Sequence, residues 1–162
     1  MAFLSKIRSM DLFNVVTVGF PFCAFKILTG LTLQTMDVPT TVKRIGVLLV
    51  CLGVIDLVIN GVNFVSLAIR GRRWLDACLF ALLMRSIKSP AEHTDWSWQD
   101  LGNSLDVLLS FTLVACAIGF GMLKLMNSPA VTIWNVSVVF NVLGAGLGRL
   151  GGSIQNLGTP KI

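Results

Sequence analysis

Apolar residues along the chain gather into four long runs, at 12–33, 45–69, 101–126 and 130–150. About twenty predominantly apolar residues suffice to cross the hydrocarbon core of a bilayer as a helix, so each run predicts one span. Polar residues inside the runs recur at helical spacing. Gly53, Asp56, Asn60 and Asn63 fall three or four residues apart in the second run. Asn103, Asp106 and Ser110 do the same in the third, and Ser137, Asn141, Gly144, Gly148 and Gly152 share one face of the fourth. Residues three and four apart are neighbours on a helix surface, and polar groups in lipid turn toward protein or a cavity. The stripes therefore predict a four-helix bundle whose polar faces turn toward one another or toward a neighbouring subunit.

Boundary chemistry fits the same elements. Thr40 and Thr41 stand before the second run, and Ser128 with Pro129 places a capping hydroxyl and an N1 proline before the fourth. Ser97 and Asp100 offer a capping box for the third, and Gly151, Gly152 and Ser153 are expected to end the last helix. A fifth apolar stretch, 74–84, is too short to span, reaching about 16 Å as a helix. Arg72 and Arg73 flank it on one side and Arg85 and Lys88 on the other. That pattern predicts a short helix between the second and third spans. Two placements fit it, along the membrane interface or buried against the other helices.

The basic residues orient the bundle. With the N-terminus cytoplasmic, Lys6, Arg8, Arg70, Arg72, Arg73, Arg85, Lys88, Arg149 and Lys161 lie inside, against Lys43, Arg44 and Lys124 outside. The positive-inside rule favours this arrangement, so both termini and the connector at 70–100 are expected in the cytoplasm. Arg70, Arg72, Arg73, Arg85 and Lys88, with the belt tryptophans Trp96 and Trp98, are candidate contacts to anionic headgroups. Lys6 and Arg8 precede the first run without a small-x-small cleavage site, so that span is expected to stay as an anchor.

Composition agrees with a single 162-residue membrane domain. The chain is 54 % hydrophobic and only 13 % charged, with a mean hydropathy of +0.80. A soluble domain has about a quarter of its residues charged, so most soluble enzyme classes drop out. The net charge of +5 reads as topology rather than nucleic-acid binding, because no basic stripe is interleaved with exposed aromatics. Cys23, Cys51, Cys78 and Cys116 stand singly in apolar surroundings, without the CxxC of thiol-redox chemistry. His93 is the sole histidine and tyrosine is absent. No nucleophile elbow, phosphate loop or metal-ligand spacing occurs, so neither catalytic residues, a metal nor a cofactor is expected.

Intramembrane polar groups are the remaining candidates: Lys26, Asp56, Asn60, Asn63, Asn103 and Asp106. Helix rise separates Lys26 and Asp56 by roughly 8 Å in depth, within reach of a lysine stem. Asp106 is expected nearer the inner surface, apart from Asp56 and close to Arg70, Arg72 or Arg73. Two readings follow for Asp56. It forms a structural ion pair, or it binds a proton or cation on a path lined by Asn60 and Asn63. Asn141, Gly144, Gly148 and Gly152 form a candidate helix-packing ridge, used either within the bundle or between copies. The sequence thus favours a non-catalytic multi-pass subunit or scaffold that assembles with itself or other membrane helices. A small oligomeric ion or solute channel or transporter is the alternative.

Overall fold

The computed structural model describes residues 11–86 and 98–157, with side chains described for all of these except 99 and 148–157. The described residues form helices and turns without a strand. We number the helices α1 (Asp11–Thr35), α2 (Thr40–Arg70), α3 (Leu79–Ser86), α4 (Trp98–Gly119) and α5 (Ser128–Leu157). Four are long and apolar enough to cross a membrane, α5 through Ser128–Leu147. By length and composition the chain is a multi-pass membrane protein.

The first span is not a uniform helix. Val15–Gly19 forms a π-helical turn directly before Pro21. Proline has no N–H and crowds the carbonyl four residues earlier, and the wider turn absorbs both effects without breaking the span. From there α1 acts as the hub, packing against α2, α4 and α5. Its contact with α2 is the closest. A Cβ on Gly30 would run into the Gly46 carbonyl and Val50, and one on Gly53 into Ile27, the Cys23 carbonyl and Lys26. Small residues thus let the two backbones touch, as lipid-embedded helices require in the absence of a hydrophobic driving force.

A second face of α1 is aromatic. Phe22, Phe25, Ala117, Met122 and Trp134 form the buried apolar core. The Phe25 and Trp134 rings lie 4.9 Å apart between centroids, and Phe22 meets Phe111 edge-on at 5.7 Å. Gly144 of α5 sits against Thr17 of α1, whose hydroxyl a Cβ would strike. That part of the fourth-span ridge is therefore used inside the bundle.

Several helix ends differ from expectation. α2 starts after Pro39 with no side-chain cap, so Thr40 is its first helical residue and neither threonine caps it. At the start of α5 the cap is Asn127, whose Oδ1 accepts the Ala130 N–H at 2.9 Å, in place of Ser128. α4 stops at Gly119, and Gly121 in the left-handed region (φ 65°) leads into a separate 3₁₀ turn, Met122–Leu125. The third run therefore divides before Met126. α5 continues to Leu157, past the glycines expected to end it. The Ser97 half of the capping box falls outside the described residues.

The connector is only partly helical. Gly71 closes α2 in the left-handed region (φ 71°), its N–H donating to the Leu67 carbonyl at 3.1 Å. Residues 71–78 are irregular, and the helix begins at Leu79, not Trp74. α3 then lies on α4, with Ala81 fully buried and its backbone against Gly102. Trp74, by contrast, is 71 % exposed.

Candidate functional site: a buried lysine between two aspartates

Where α1, α2 and α4 meet, three charged side chains are withdrawn from the surface. Lys26 is 0 % exposed, Asp56 1 % and Asp106 7 %. The Lys26 Nζ donates to Asp56 Oδ2 at 2.5 Å and to Asp106 Oδ1. The lysine stem spans the difference in depth between α1 and α2, as its length allows. The placement of Asp106 is a correction. It reaches neither Arg70, Arg72 nor Arg73 but shares Lys26 with Asp56. α4 begins at Trp98, so Asp106 stands about 12 Å along its helix, deep enough to meet the lysine. With all three groups ionised, the cluster carries one negative charge more than positive.

Asp56 is saturated. Its second oxygen, Oδ1, accepts the Leu79 N–H at 2.7 Å, tying the first residue of α3 to the middle of α2. The rest of the α2 stripe continues that attachment. Asn60 donates to the Asp56 carbonyl at 2.9 Å and to the Ala77 carbonyl at 3.4 Å. Asn63 accepts the Trp74 and Leu75 N–H groups at 3.2 and 2.9 Å and donates to the Asp76 carbonyl at 3.1 Å. Ser66 donates to the Arg72 carbonyl at 2.8 Å. An irregular segment beside a membrane span must satisfy its own backbone groups, and α2 supplies partners from one face.

A cavity of ≈ 280 Å³ lies on the connector side of this cluster. Asp56, Asp106, Asn60 and Asn103 contribute its polar lining, with Arg73 and Asn14 also on its wall, while Asn63 is not among its lining residues. Arg73 pairs with Asp11 at 2.9 Å, joining the connector to the start of α1. Cys78 also lines the cavity, its Sγ within 3.7 Å of Asn103 Oδ1. Burial, with Asp106 nearby, pushes that thiol up to about 11, which leaves it protonated and a poor nucleophile. On the far side of the cluster, Gly30 against Gly46 closes α1 onto α2.

The other predicted residues distribute as follows. Asn141 and Ser137 are buried, and the Asn141 amide nitrogen has no partner among the described residues. Arg70, Arg72, Arg85 and Trp98 are exposed; Arg85 meets Asp76 at 3.5 Å. Lys6, Arg8, Lys88, His93, Trp96 and Lys161 lie outside the described residues, as do the side chain of Arg149 and the surroundings of Gly148 and Gly152. No group of three or more His, Cys, Asp or Glu suited to a metal occurs among the described residues. The Gly30–Gly46 crossing and the pinned connector were not foreseen. The glycine pair is visible in the sequence, but its facing partner is not. The chain matches no family model, no curated protein and no solved structure.

Proposed function

We propose that this chain is a non-catalytic membrane subunit that assembles with itself or with other membrane helices, its termini and connector on the cytoplasmic side. The observation that carries the reading is how Asp56, Asn60 and Asn63 are employed. A carrier carboxylate has to exchange its bound proton or cation, whereas Asp56 holds Lys26 with one oxygen and the Leu79 N–H with the other. Asn60 and Asn63 bind connector backbone. The polar stripe thus supports architecture. Outside the bundle, α5 presents Gly146 with no atom near the space a Cβ would fill, a gap through which another helix backbone can approach. The excess of Lys and Arg at the connector end supports the orientation.

Mass measurement of the protein extracted together with its surrounding lipid tests this reading. Particles holding two or more copies, or a copy with another membrane protein, are expected. Uniform single copies of the 17.5 kDa chain would overturn it. The second reading, a small oligomeric channel or transporter, is favoured by one feature: the cavity reaches both aspartates. Reconstituted vesicles showing an ion flux that Asp106→Asn abolishes without loss of fold would establish that reading instead.

A further inference from the structure

A second concavity, ≈ 380 Å³ in volume, runs along the outer face of α2, away from the charged cluster. Gly61, Val62, Val65 and Ile69 form its apolar length, and Arg70 with Trp74 stands at its mouth. Gly61 creates the depth, since nothing lies within 4 Å of where its Cβ would be. From Gly61 to Arg70 the helix rises about 14 Å, close to half of the roughly 30 Å hydrocarbon thickness. The Arg70 guanidinium sits 5.8 Å from the centre of the Trp74 ring, which holds it over the opening by a cation–π contact. Arg73 and Arg85 are paired with Asp11 and Asp76, but Arg70 has no carboxylate partner among the described residues.

We propose that this groove is a binding site for one anionic phospholipid, an acyl chain lying along Gly61 to Ile69 and the phosphate on Arg70. Three features coincide in one place: an apolar slot about as long as a leaflet is thick, a cation held beside it, and an exposed tryptophan, a residue type that gathers at headgroup level. Charge selects among lipids. A net-negative headgroup gains from an unpaired guanidinium, while a zwitterionic one places its own cation beside it. Ser66 fixes the geometry by donating to the Arg72 carbonyl at 2.8 Å, which holds the chain that carries Trp74 close to α2.

The test titrates the purified full chain in neutral detergent with phosphatidylglycerol or phosphatidylcholine of identical acyl chains, counting retained lipid by native mass spectrometry. Wild type is expected to hold one phosphatidylglycerol in preference to phosphatidylcholine. Arg70→Gln should weaken phosphatidylglycerol about fivefold, the effect of one basic residue at a membrane surface, and leave phosphatidylcholine unchanged. Gly61→Leu, which projects into open space and keeps the thermal midpoint, should lose the retained lipid. Equal retention of both lipids by wild type, or unchanged phosphatidylglycerol binding in both variants, would overturn the proposal. So would a dimer that Gly61→Leu dissolves, since a second copy would then occupy the groove.

Discussion

The two faces of α1 meet their neighbours in opposite ways. Toward α2 the helix offers Gly19, Cys23, Lys26 and Gly30, small groups and one charge, and the contact combines backbone touching backbone with a lysine clamped by carboxylates. On a second face it offers Phe22 to Phe111 of α4 and Phe25 to Trp134 of α5, and there ring packs against ring. The aromatic face tolerates repacking among shapes of similar volume. The charged face does not, because each partner is needed to compensate the others. Specificity of register between α1, α2 and α4 therefore resides in three side chains, and bulk cohesion in the rings.

The sharpest way to break this contrast is Lys26→Met. It leaves two buried carboxylates facing each other without their cation, a loss of about 3–5 kcal/mol for a broken buried pair. Thermal unfolding in lipid nanodiscs should show that loss, and adding Asp56→Asn with Asp106→Asn should recover most of it. If Lys26→Met alone proved harmless, the charges would not hold the bundle. On the aromatic face, Trp134→Ala should cost about 3 kcal/mol, at the low end for removing a large buried ring, whereas Trp134→Phe should retain most of the stability. Asn63→Ala addresses the attachment of the connector. It removes the acceptor of the part-buried Trp74 and Leu75 N–H groups, a cost of about 1 kcal/mol on the scale of an ordinary hydrogen bond. Its signature is local: hydrogen exchange at 71–79 should accelerate while the α1 core stays protected.

The four spans were legible because twenty apolar residues have few other uses at this chain length. The α2 stripe was legible because Asp56, Asn60 and Asn63 repeat at helical spacing, and the Lys26–Asp56 pair because side-chain reach and helix rise are known quantities. Asp106 was misplaced for a concrete reason. Its depth was counted from an assumed start at residue 101, and α4 begins at Trp98. Helices also tilt by about 20° on average, so depth counted along the sequence is a poor guide to who meets whom. The capping role of Asn127 over Ser128 depends on backbone direction at the turn, which composition does not encode. Where the asparagines of α2 would find partners was equally hidden, since those partners are backbone groups of an irregular segment whose path no periodicity announces.

The central position of Lys26 has a consequence for how the chain enters the membrane. As a lone helix, α1 would carry a cation at its middle, a cost of about 2.5–3.5 kcal/mol for insertion. Its first compensation lies on α2, which follows after only four residues, 36–39. The glycines that let the two backbones touch also let Asp56 arrive without any later span present. Insertion is thereby favoured as a hairpin rather than helix by helix, with α4 adding a second aspartate to a lysine that Asp56 has already neutralised.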